Sequence, residues 1–125
     1  MSPQSIDYDD LMQANLTKVF SERDAGRRMA AITELYMADA VLYEPDALMT
    51  GHAAISQAVE TLLSRLPSDF VFTATGPAIG HHGLGQLRWQ AGPSGGPAAV
   101  TGTDVARFEG ARIQTLHVLL DPSGA

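Results

Sequence analysis

Residues 98–120 read AAVTGTDVARFEGARIQTLHVLL, and the two runs rich in β-branched and aliphatic residues on either side of Glu109-Gly110-Ala111 have the composition of strands joined by a tight turn. Alternation along the first run puts Val100, Gly102, Asp104, Ala106 and Phe108 on one side, and Thr101, Thr103 and Arg107 on the other. Along the second run Leu116, Val118 and Leu120 share a side opposite Ile113, Thr115, His117 and Leu119. If the more apolar side of each run faces the core, a carboxyl group, that of Asp104, is directed inside.

Strand patterns also occupy about Leu84–Ala91 and Phe70–Ile79, with Gly80-His81-His82-Gly83 and the Gly/Pro-rich stretch Gly92–Pro97 as connections. Hairpin connections of this kind make the sheet mostly antiparallel. Further upstream the period changes. Ile55, Ala58, Val59, Leu62, Leu63 and Leu66 mark a helix between His52 and Leu66, stopped by Pro67. Ala40 to Glu44 reads as a short strand ended by Pro45, with a loop as far as Gly51. Before it, Met29, Ile32, Leu35 and Tyr36 stripe a helix from Arg27 to Met37, and Leu11, Met12, Leu16, Val19 and Phe20 stripe another from Ile6 to Arg23. Helices first and strands afterwards give an α+β fold, with three helices on one face of a bent sheet.

A chain of 125 residues fits one domain, spanning 1–125 with a short tail at 122–125. Its net charge of −6 argues against nucleic acid, whose binding draws on clustered Lys and Arg. The nearest basic cluster, Arg23, Arg27 and Arg28, reads as a solvated helix face. With no cysteine there is no disulfide framework, thiolate nucleophile or Cys-based zinc site. The acidic stretch Met1 to Asp10 lacks a signal-peptide pattern, and no run approaches the ~18 apolar residues of a membrane span. A soluble, cytoplasmic protein is the expectation.

Asp104 is the first candidate for chemistry. A carboxyl in the core without a partner resists ionisation, so it stays protonated and can donate a hydrogen bond; an aspartate held by a backbone amide or a buried arginine is the alternative. Glu44 shares a strand face with Leu42 and ends its strand beside Pro45, where a pocket mouth would lie. Partial burial would raise its pKa and suit it to act as a general base; an exposed acid flanking a loop is the alternative. His81 and His82 fall in a turn and read as solvated, His52 as a capping or surface residue, and His117 as outward-facing. No His-x-His, His-Glu-x-x-His or three-ligand cluster, Gly-x-Ser-x-Gly elbow or phosphate loop occurs, so no metal and no cofactor is expected. Trp89 and Tyr43 can stack on a ligand or pack in a core or interface.

The run Tyr36-Met-Ala-Asp-Ala-Val-Leu-Tyr-Glu-Pro45, with Gly51 and the helix containing Ile55, resembles the nuclear-transport-factor-2-like family in its ketosteroid isomerase and SnoaL-like branch. Thr75-Gly-Pro77, Asp104-Val-Ala-Arg-Phe108 and Arg112-Ile-Gln-Thr-Leu116 extend that resemblance over nearly the whole chain. It implies a strongly curved sheet forming a cone-shaped pocket for a small hydrophobic ligand. It further implies that Glu44 moves the proton and that Asp104 donates to the enolate oxygen. The expected pocket lining is Val19, Phe20, Tyr36, Leu42, Val59, Leu116 and Val118. Two departures stand out. The isomerases carry a tyrosine donor on the first helix, where Val19 or Phe20 stands here, and an aspartate where Glu44 stands. The same scaffold hosts polyketide cyclases, dehydratases and non-catalytic binding domains. A homodimer is expected through the outer sheet face, built on Val105, Ile113, Thr115, His117 and Leu119, with Trp89 joining if its phase agrees.

Overall fold

A computed structural model describes residues 6–122, so most of the expected tail at 122–125 lies outside the described residues. The first helix, α1 (Tyr8–Ala14), starts where the Asp7 carboxylate accepts from the Asp10 amide at 2.9 Å. It runs directly into a π-helical turn (Asn15–Phe20) rather than continuing as α-helix to Arg23. The wider π turn brings Asn15, Leu16, Val19 and Phe20 all to the buried side. Helix α2 (Ala25–Leu35) is capped by Asp24, whose carboxylate accepts from the Arg27 amide at 2.8 Å. It stops two residues before the expected Met37, and Tyr36 already has extended backbone.

Strand β1 (Tyr36–Glu44) follows and is longer than the sequence suggested. The expected loop from Pro45 to Gly51 contains a further strand, β2 (Ala47–Thr50), which folds back on β1 through a tight Pro45-Asp46 turn that pairs Glu44 with Ala47. Helix α3 (His52–Ser64) then packs on α2 and β1. The expected strand from Phe70 to Ile79 is two strands, β3 (Phe70–Ala74) and β4 (Ile79–His81), interrupted around Gly76-Pro77. Strands β5 (Leu84–Pro93), β6 (Val100–Glu109) and β7 (Arg112–Leu120) complete the sheet.

The strand order is β2-β1-β7-β6-β5-β3, with β4 paired to β5. Every pairing is antiparallel except that of β1 with β7. The sheet is curled and open, and the three helices pack within its curl. Met12, Leu16, Ile32, Ile55, Leu87 and Leu116 form the centre of the core between the two layers. No helix among the described residues is long and apolar enough to cross a membrane.

Two assignments of side chains to faces also need correction. Arg28 is not on a solvated face: it is 1% exposed, donating to Glu60 Oε1 at 2.6 Å, to Ser56 Oγ at 3.1 Å and to the Glu22 carbonyl at 2.7 Å. It ties α2 to α3, and the ion pair satisfies a charge that burial would otherwise make costly. Ile113 is not on the outer face either. Arg107 pairs with Thr115 but Phe108 pairs with Ile113, so β7 bulges at Gln114 and the alternation changes phase there. Ile113 therefore points into the core beside Leu116, while Thr115, His117 and Leu119 remain outside.

Candidate functional site

On β6 the inward side carries Gly102, Asp104, Ala106 and Phe108, all buried. The register with β5 sets Asp104 opposite Leu87 and Gly102 opposite Trp89. Because position 102 has no side chain, the indole can lie across β6, and its Nε1 donates to Asp104 Oδ1 at 2.9 Å. Trp89 is thus an interior residue, and it does not join the outer face of the sheet. The ring is held on its other side by Phe72, at a centroid distance of 5.5 Å, which in turn meets Phe20 edge-on at 6.1 Å.

Asp104 is 3% exposed and has no cationic partner among the described residues. Burial raises its pKa to about 7, and the Trp89 hydrogen bond opposes that rise without cancelling it. No enclosed side-chain nitrogen or oxygen among the described residues lacks a partner, yet Oδ2 of Asp104 makes no hydrogen bond to a described residue. That oxygen is therefore open to the cavity, and with Oδ1 engaged as an acceptor, the proton of the neutral acid belongs on Oδ2.

Glu44 occupies the end of β1, where the Pro45-Asp46 turn forms the rim of the same cavity. It is half-buried, and that burial raises its pKa. The cavity measures about 460 Å³. Leu16 and Phe20 of the π turn, Leu62 and Leu66 of the α3 segment, and Phe72 and Trp89 of the sheet give it an apolar wall. Glu44 and Asp104 both border it, Glu44 at the mouth and Asp104 from the interior.

Of the residues expected to line the pocket, Phe20 and Val118 do so. Val19, Tyr36, Leu42, Val59 and Leu116 do not reach the cavity; each is at most 1% exposed and belongs to the core behind the wall. The Tyr36 hydroxyl donates to Asn15 Oδ1 at 2.6 Å, so it is already engaged as a donor. Burial drives the Tyr36 pKa well up, the Asp104 charge adds to the rise, and the bond to Asn15 opposes it. Asn15 escaped notice in the sequence because it is one polar residue inside an apolar stripe; only the π turn buries it. His52 is half-buried with Nε2 donating between the carbonyls of Tyr36 and Met37, at 3.0 and 2.9 Å, so it fixes the start of α3 against β1. His81 ends β4 and His82 begins the β4–β5 turn, and both are exposed. No group of three or more His, Asp or Glu side chains suited to a metal occurs among the described residues.

A curled, mostly antiparallel sheet wrapped around helices, with a cavity at the open end, defines the nuclear-transport-factor-2-like fold. Residues 16–115 match the model of the SnoaL-like domain family, and the chain belongs to that family. Its structure is similar to a provisionally named isomerase of the SnoaL-like family from Agrobacterium tumefaciens, with a TM-score of 0.85, 21% identity, and coverage of 93% of this chain and 98% of that one. It is also similar to a provisionally named polyketide cyclase from Sinorhizobium meliloti (TM-score 0.70, 20% identity, 92% and 98% covered). A provisionally named ketosteroid isomerase from Kribbella flavida shares the fold at a TM-score of 0.71 and 12% identity, over 95% and 81% of the two chains. At these identities the likeness establishes fold alone. No curated protein matches the sequence.

Proposed function

We propose that this chain catalyses ketosteroid-isomerase-like proton transfer next to a carbonyl, acting on a steroid or a similar small hydrophobic ketone. The observation that carries this reading is the Asp104 carboxyl, buried and close to neutral pH in its titration, with one oxygen on Trp89 and the other open to the cavity that Glu44 borders. The Glu44 carboxylate takes a proton from the carbon beside the ketone, and the C–H electron pair moves into the new C=C bond as the carbonyl becomes an enolate. The Asp104 proton meets the charge that develops on oxygen, in an apolar site where that contact is strong. Protonated Glu44 then returns the proton at the far end of the conjugated system, so the double bond shifts and both acids regain their starting states. The chemistry is redox-neutral and calls for no cofactor.

A second reading is favoured by Phe20, which faces the cavity where the resemblance implies a tyrosine donor. With one donor fewer, the enolate is less well held. The same first step would then serve a SnoaL-like polyketide cyclase or dehydratase, or the cavity would bind a small apolar molecule without turnover. The working unit in either case is taken to be a homodimer through the outer face of the sheet, in the cytoplasm.

Proton exchange tests the shared step without knowledge of the natural substrate. Pocket-sized ketones incubated with the protein in D2O should exchange their α-protons by NMR, and Glu44→Gln should slow this by about 10²–10⁴-fold with the fold unchanged. Exchange that is the same in both proteins would remove Glu44 from the mechanism. Binding without exchange would favour the non-catalytic reading.

A further inference from the structure

Among the described residues, Arg65 is the only basic residue that borders the cavity. It is the C-cap residue of α3, a place where a cation usually serves the free carbonyls of the helix end. Here another residue fills that role: Arg23 donates from Nη1 to the Leu63 carbonyl at 3.3 Å and from Nη2 to the Pro67 carbonyl at 2.8 Å. Arg27, Arg28 and Arg88 are each paired with a carboxylate. Arg65 makes no salt bridge within 4.0 Å and no side-chain hydrogen bond to a described residue, and neither Glu44 nor Asp46 on the rim reaches it. An apolar chamber thus has two carboxyls for a ketone and, on its border, an exposed arginine without a partner among the described residues.

From this arrangement we infer that the ligand is a hydrophobic keto acid, with its ketone between Glu44 and Asp104 and its carboxylate on Arg65. The position of the ketone rests on the proton-transfer reading; the anionic tail rests on Arg65 alone. A guanidinium presents parallel N–H donors that match the two oxygens of a carboxylate. A singly charged carboxylate also suits the rim better than a phosphate, because Glu44 and Asp46 repel a dianion more strongly. A neutral ketone would enter the chamber but leave Arg65 with only water.

Trp89, the only tryptophan of the chain, lines the cavity and reports on its occupancy by fluorescence. The test is a titration with a fused two-ring aryl ketone bearing a carboxymethyl group, alongside its methyl ester. The acid should bind about fivefold to tenfold more tightly than the ester, the scale of one charge-assisted contact at a partly exposed site. Arg65→Gln should abolish that preference while leaving ester binding unchanged, and Arg65→Lys should restore part of it. Equal binding of acid and ester, or a preference that survives Arg65→Gln, would overturn the keto-acid assignment while leaving proton transfer standing. Preferential binding of the acid with no α-proton exchange would uphold the anion site and sink the catalytic reading. If neither ligand quenches Trp89, both fall.

Discussion

Gly102 and Trp89 face each other across β6 and β5 so closely that a Cβ at position 102 would lie 2.5 Å from Cζ2 of the indole and 2.6 Å from the Leu119 carbonyl oxygen. The glycine makes the space in which the indole reaches Asp104. Gly102→Ala should therefore push the ring off its seat and weaken the bond to Asp104. Overpacking of this kind costs about 1–3 kcal/mol, measurable by urea unfolding. The Trp89 emission should shift as well. Unchanged stability and emission would mean that the sheet can absorb the methyl group without moving the indole.

The buried acid gives stability a direction with pH. Asp104 has a folded pKa of about 7 against an ordinary value of 3.8, so between those values the folded chain holds a proton that the unfolded chain has lost. Stability from this group is complete below about pH 4, falls as pH rises toward 7, and levels off above it; the loss is up to about 4 kcal/mol. Burial raises Glu44 too and adds a smaller slope of the same sign. Asp104→Asn should remove most of the decline in a series of unfolding curves from pH 4 to 8. Trp89→Phe, which removes the hydrogen bond that opposes the rise, should extend the upper end of the decline beyond pH 7. A decline that persists unchanged in Asp104→Asn would assign it to another group.

The interior direction of Asp104 was legible because β6 is regular from Gly102 to Phe108, and simple alternation then sorts its faces. Alternation failed on β7, where the bulge at Gln114 turned Ile113 inward, since one extra residue in a strand leaves no mark in an apolar run. The Trp89–Asp104 bond was beyond reach for another reason. It depends on the β5–β6 register, and nothing within either strand fixes that register. The π turn and strand β2 were missed because each differs from its expected form by a local change, a wider turn in one and a Pro-Asp hairpin in the other. The residues behind the cavity wall were mistaken for its lining because an inward stripe shows burial and not depth.

Phe20 offers a gain-of-function test. It lines the cavity from the π turn, and its ring meets Phe72 edge-on. Phe20→Tyr adds one hydroxyl donor to that wall. If the hydroxyl reaches the oxygen that Asp104 serves, the rate of isomerisation of an unconjugated ketosteroid should rise by about 10²-fold, by analogy with the loss on removing an oxyanion donor. The assay is the growth of conjugated-enone absorbance. A fall in rate with intact ligand binding would show that the hydroxyl points elsewhere in the cavity.

The outer sheet face carries the last expectation. The β1–β7, β7–β6 and β6–β5 registers place Tyr43, His117, Val105 and Gln86 in one row across four strands. Tyr43 and His117 stack at 4.4 Å with planes 12° apart, which makes the middle of the row flat. Leu119, 52% exposed, extends the surface along β7. With Ile113 and Trp89 turned inward, this face is smaller and more polar than alternation suggested, but its flat aromatic centre suits a twofold pairing. Light scattering at micromolar concentration should give the mass of a dimer. Val105→Glu would set two like charges near the twofold axis and should yield a monomer that still binds ligand in the cavity, since Val105 lies on the opposite face of β6. A wild-type monomer would overturn the dimer, and a Val105→Glu dimer would place the pairing on another surface.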